Sequence, residues 1–160
     1  MFKVRQPPPD RFGIDPTLGS AVGTDAADLW LPAVSLASCM RAVLRRDTRG
    51  RTLSDRQRYN HFPASPVCSI TWYFHGDCDL LELGSAASAA SARIPIPGRI
   101  LFAGPFNRPS ISWNPGEAHV MMLLLMPDAF AALTGIDPGA YVNRIQPADQ
   151  VLGAEWMEFC

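Results

Sequence analysis

The clearest alternation of apolar and polar positions runs over Cys68-Ser69-Ile70-Thr71-Trp72-Tyr73-Phe74-His75. A two-residue period places Cys68, Ile70, Trp72 and Phe74 on one face of a half-buried strand and Ser69, Thr71, Tyr73 and His75 on the other. Gly76-Asp77 closes it, and Leu80, Leu81 and Leu83 begin a weaker apolar patch. That patch gives way to the small-residue run from Gly84 to Ala92. With no large apolar residue to anchor it, and with serines competing for backbone hydrogen bonds, this run is expected to form a surface loop. Pro95 and Pro97 each remove a ladder donor, so Ile94 to Gly98 cannot be a central strand, whereas Arg99-Ile100-Leu101-Phe102-Ala103 can. Further on, Ile111 and Trp113 share one face of a strand. Asn114-Pro115-Gly116-Glu117 has proline second and glycine third, as a type II turn asks, and His119 to Met126 returns as a nearly continuous apolar segment. The expectation is a hairpin whose second strand is buried on both faces.

Helical patterning is confined to short stretches. Leu36, Met40, Val43 and Leu44 fit a helical stripe while Met40 to Arg45 alternates imperfectly, which predicts a short helical turn running into a strand. Pro127 suits a first helical position, Asp128 complements the dipole and Gly135 stands where a left-handed cap belongs. A second helix start follows, with Asp137 as cap, Pro138 after it and Ile136 placed to staple onto Tyr141. Leu152, Trp156 and Phe159 are spaced as a helical stripe that nothing caps before Cys160. The stretch 1–31, with Pro7-Pro8-Pro9 and no sustained period, reads as an irregular arm. These features divide the chain into an arm (1–31), a β-rich domain (32–146) and the start of a linker helix (147–160).

Composition narrows this picture. One hundred and sixty residues bury one sizeable core, and 15 prolines argue against an all-helical bundle. The formal net charge of −1 shows neither a basic excess that would point to nucleic acid nor an acidic excess that would point to a solvating tail. Inside it, however, seven arginines (41, 45, 46, 49, 51, 56, 58) face only Asp47 and Asp55, a strip that is either a solvated loop or a contact for another domain, an anionic effector or nucleic-acid phosphate. The longest apolar run, Val120 to Met126, has 7 residues against the roughly 20 that cross a bilayer, and the first residues hold no apolar signal core. A cytoplasmic protein with no membrane partner is expected. Cys39, Cys68, Cys78 and Cys160 form no Cys-x-x-Cys pair and read as free thiols.

The densest polar cluster is Arg58-Tyr59-Asn60-His61-Phe62-Pro63-Ala64, whose imidazole, amide, phenol and ring faces could orient a small molecule against an apolar wall. Equally, Asn60 and His61 could cap a turn while Phe62 plugs the core. His61, His75 and His119 form no His-x-His or His-x-x-x-His pair, and no nucleophile elbow or phosphate loop is present. No catalytic residue, metal site or cofactor is expected.

Several spaced motifs add a resemblance. They are Arg58 to Ala64, Ser69-Ile70-Thr71-Trp72, Phe102-Ala103-Gly104-Pro105 with Arg108-Pro109, Met126-Pro127-Asp128-Ala129-Phe130 with Leu133-Thr134-Gly135-Ile136, and Val151-Leu152-Gly153-Ala154-Glu155-Trp156. In this order the chain from Leu36 to Trp156 resembles the N-terminal domain of AraC-type bacterial transcription regulators. The resemblance implies a mainly β (α+β) fold: a cupin-like or jelly-roll β-barrel with a few short flanking helices, mostly C-terminal. It also implies binding of a small-molecule effector, homodimerisation, and DNA contact only through a C-terminal helix-turn-helix domain that this sequence does not contain. If the sheet closes as a barrel, the larger apolar side of the alternating strand would line its interior. Ile70, Trp72 and Phe74, with Asn60, His61 and Phe102, then form the expected ligand pocket. Two other readings stand beside this one. One is a small cupin-like metal-dependent enzyme in which His61, His75 and His119 converge, and the other is a dimerisation platform that binds no ligand.

Overall fold

The computed structural model describes residues 2–4, 27–83 and 91–158. Eleven strands are defined: β1 (Phe2–Val4), β2 (Ala27–Leu31), β3 (Met40–Asp47), β4 (Tyr59–Phe62), β5 (Cys68–His75), β6 (Asp79–Leu81), β7 (Arg93–Pro95), β8 (Ile100–Ala103), β9 (Ser110–Trp113), β10 (His119–Leu125) and β11 (Ile145–Pro147). They form a seven-stranded sheet in the order β1-β2-β3-β10-β5-β8-β11 and a four-stranded sheet in the order β4-β9-β6-β7. All pairings are antiparallel. The helices are α1 (Pro127–Thr134) and the single turn α2 (Ala154–Met157), with short 3-10 turns elsewhere. The fold is therefore mainly β with short helices concentrated toward the C-terminus. Among the described residues the two sheets stay open and do not join into one hydrogen-bonded barrel.

The period-two segment forms β5 over the expected residues, and the expected helical turn before β3 is a 3-10 turn at Val34–Leu36. β10 lies between β3 and β5 along its whole length, which explains why its sequence is almost continuously apolar. Pro95 sits in β7, at the edge of the smaller sheet, where a missing donor is tolerated.

The expected β9–β10 hairpin does not form. β9 pairs with β4 and β6, whereas both edges of β10 are taken by β3 and β5, so the chain crosses from one sheet to the other after Trp113. Gly116 does not adopt the left-handed conformation that a type II turn needs. Side chains hold the crossing instead. Asn114 donates to the carbonyl of Asp77 (2.9 Å), and the Thr48 hydroxyl accepts from the Ala118 N–H (2.8 Å). The left-handed glycine here is Gly76 (φ 82°), whose missing Cβ leaves room for the Glu117 carbonyl.

Part of the stretch expected to be an irregular arm is also strand. Ala27–Leu31 pairs with β3, and Arg45 forms an ion pair with Asp28 (2.7 Å). The remainder, 5–26, and most of the Gly84 to Ala92 run lie outside the described residues.

The large sheet is covered differently on its two faces. On one, Cys68, Ile70, Phe102 and Leu125 pack against Phe130 of α1 and against Ala148 and Leu152, with Ile136, Tyr141 and Trp156 closing the edge. Phe102 stacks on Phe130 (4.7 Å between centroids) and meets Tyr141 edge-on (5.4 Å). Helix α1 reaches this position with Pro127 in its first turn and with Gly135 (φ 71°) donating to the Ala131 carbonyl (2.8 Å). The second expected helix is only a 3-10 turn, Pro138–Tyr141. Asp137 caps it by accepting from the Gly139 N–H (2.8 Å), and Asn143 (φ 58°) turns the chain away two residues later. Leu152 precedes α2 rather than sharing a stripe with it, and Phe159 lies outside the described residues. The other face of the large sheet is turned toward the four-stranded sheet.

Candidate functional site

Strand register shows how one residue's shift along β5 changes what a side chain meets. Ile70 stands in register between Leu123 and Phe102, in the packed row, whereas Thr71 stands between Met122 and Leu101. Thr71, Met122 and Leu101 line a cavity of about 310 Å³ between the two sheets. The large sheet contributes Ser69 and Tyr73 of β5, Leu44 of β3, Ala103 of β8 and Ile145 of β11. Facing them are Phe62 of β4, Leu80 of β6 and Ser110 and Ser112 of β9. The space exists because serine, threonine, alanine and glycine stand where larger side chains would meet across the gap. Its volume lies at the lower end of the roughly 300–1,000 Å³ usual for small-molecule sites.

A smaller cavity of about 40 Å³ adjoins the first, sharing Leu44, Phe62, Tyr73, Ser112 and Met122. It adds Arg46, Asn60 and Asn114. Asn60 Nδ2 donates to Ser112 Oγ (3.1 Å) and to Asn114 Oδ1 (2.9 Å), and all three residues are buried. Arg46 faces the same way, in register with Val120. Its Nη2 donates to the Gln57 carbonyl (2.7 Å), and its buried Nε has no partner. Burial pushes the Arg46 guanidinium pKa down, opposed by the nearby Cys78 and Tyr73 groups. Burial also drives the Tyr73 phenol well above its ordinary value, reinforced by Cys78 and opposed by Arg46.

The six residues expected to form the pocket do not gather in one place: Ile70, Phe102 and Trp72 meet in the packed core, and the other three lie elsewhere. Asn60 borders the narrow cavity, whereas His61, next to it on β4, is exposed. Ile70 (2% exposed) and Phe102 (0%) are sealed in the core on the opposite face of the large sheet. Trp72 packs at the margin of that core, and Phe74 is 57% exposed, with its ring against His119 (5.1 Å). The alternation of β5 is as expected, but its hydroxyl-bearing side, Ser69-Thr71-Tyr73, faces the cavity. Large apolar side chains fill space, so the face that carries them becomes solid, and the face with smaller groups is left with the void.

Most of the arginine strip is engaged within the protein. Arg49 grips Asp47 with Nε (2.9 Å) and Nη2 (2.7 Å), holding that carboxyl well below the usual range, and Arg58 donates to the Pro115 carbonyl. Arg41 and Arg46 are the members that line cavities. His75 and His119 are register partners, but among the described residues no group of three His, Cys, Asp or Glu could hold a metal ion. Cys39 is exposed, and Cys68 and Cys78 are buried free thiols. Among the described residues no helix is long and apolar enough to cross a membrane.

No family model, curated protein or solved structure matches the chain.

Proposed function

We propose that this chain is the effector-sensing domain of an AraC-type bacterial transcription regulator, cytoplasmic and homodimeric, acting on DNA through a helix-turn-helix domain outside this sequence. Three things support the reading. The spaced motifs resemble that family, the architecture is mainly β with C-terminal helices, and a cavity with apolar walls and hydroxyl groups lies between the sheets. The cavity is the observation that carries it. Its apolar walls and its serine and threonine hydroxyls support a binding role.

The path from cavity to C-terminus is short. Ile145 lines the cavity, and β11 continues directly into buried Ala148 and Leu152, which lead into α2 and pack on the Phe102 side of the sheet. A ligand that contacts Ile145 only in one arrangement of β11 therefore biases the position of α2, and with it any domain that follows.

A thermal-shift screen of the purified chain against small metabolites tests this reading, since a ligand preferring the folded state raises its stability by mass action. The expected result is a concentration-dependent rise in melting temperature that is lost in Thr71→Phe, which fills the cavity, and kept in Phe74→Ala, which does not touch it. A flat response to organic compounds, with a melting temperature that depends on protein concentration, would favour a dimerisation platform instead.

A further inference from the structure

Resting on the reading of the inter-sheet cavity as a ligand site, we propose that its ligand is an organic carboxylate whose apolar body fills the larger space and whose carboxylate pairs with Arg46 at the narrow end. The larger space is walled mostly by apolar groups such as Leu44, Phe62, Leu101 and Met122 and so suits a hydrocarbon body. At the narrow end both carboxamides already donate to protein acceptors. Asn60 Nδ2 serves Ser112 and Asn114, and Asn114 Nδ2 serves the Asp77 carbonyl. The guanidinium of Arg46 is different. Its single hydrogen bond goes to a backbone carbonyl, its Nε is unpartnered, and among the described residues no carboxylate forms an ion pair with it.

A guanidinium does not give up its proton, so a largely buried one without a counter-charge is costly until an anion arrives. Its flat fork of N–H donors matches a carboxylate, and about 40 Å³ admits that small planar group more readily than a phosphate with its own shell of oxygens. Tyr73 and Ser112 border both cavities, beside the buried Cys78 thiol. Arg41 also lines the larger cavity, but it is exposed, so its charge is already solvated and gains less from a ligand.

The test is calorimetric titration at pH 7 with 3-phenylpropanoate and 3-phenylpropanamide, which share a body and differ in head-group charge. The carboxylate is expected to bind at least about tenfold more tightly than the amide. Arg46→Gln should bring the carboxylate down to the amide's affinity and leave the amide unchanged. Arg46→Lys should keep part of the preference, and Arg41→Gln all of it. Equal binding of the two compounds to the unmodified protein, or a preference abolished by Arg41→Gln and not by Arg46→Gln, overturns the assignment while leaving the cavity a binding site. Binding of neither compound overturns the assignment as well. The metabolite screen above then decides separately whether the cavity binds anything. The ratio measured on the unmodified protein does not depend on whether the Arg46 variants fold.

Discussion

The two faces of the seven-stranded sheet are built from the same strands, often from adjacent residues, yet one is solid and the other encloses a cavity. Ile70 and Thr71 are neighbours on β5. Ile70 is wedged between Leu123 and Phe102 under α1, and Thr71 faces the smaller sheet across a gap of about 310 Å³. The solid face carries large apolar groups and is covered by short helical segments that can adjust to them. The cavity face mixes Leu44, Leu101 and Met122 with the smaller Ser69, Thr71 and Ala103, and its cover is a separate sheet with its own hydrogen-bonded strands. Tight packing and open space are thereby separated by the width of one sheet.

This contrast breaks most visibly at Phe102. Truncating it to alanine removes a fully buried ring stacked on Phe130 and should cost about 3–5 kcal/mol in urea unfolding. An equally large cost for Thr71→Val, which alters only a cavity hydroxyl, would show that the two faces are not different in kind. A loss within about 1 kcal/mol is expected there. Gly135→Ala puts a side chain on a left-handed residue (φ 71°) at the end of α1, the helix that seals the solid face, and should cost about 1–2 kcal/mol.

Cysteine chemistry sharpens the contrast without changing packing. Cys68 lies within the solid core, and burial pushes its thiol up to about 11. A thiol raised in this way stabilises the fold at pH values below the unfolded thiol pKa, near 8.5–9, and that contribution is lost as pH rises through about 11. In native protein a thiol reagent should label Cys39 promptly and Cys68 only on unfolding. Native-state labelling of Cys68 would mean that the face is open. The smallest effect is expected at Phe74, on the same side of β5 as Ile70 but 57% exposed. Phe74→Ala should change stability by no more than about 0.5 kcal/mol.

Local chemistry accounts for the elements that were legible in the sequence. Helix α1 is specified by its own ends, Pro127 and Gly135, and β5 by its own alternation. What covers each face is not local. A period of two announces two faces but does not say that residues 130–156 would cover one and β4, β6 and β9 the other. Choosing the bulkier side as the pocket therefore selected Ile70 and Phe102, and missed Ser69, Thr71 and Tyr73. The β9–β10 hairpin failed for a related reason: Asn114-Pro115-Gly116 has the residues of a turn, but β3 and β5 occupy both edges of β10. Ala27–Leu31 has no period of its own and becomes a strand through pairing with β3. Arg46 was hidden among seven arginines, and only the register of β3 shows which of them points inward.

The difference between the faces is tested most directly by methyl NMR of the protein under xenon pressure, because xenon enters apolar-walled space without needing a specific head group. Shifts are expected at the methyls of Leu44, Leu101, Met122 and Ile145, which line the cavity, and not at those of Ile70, Leu125 and Leu152 in the solid core. Shifts at the core methyls, or at neither set, would contradict the account.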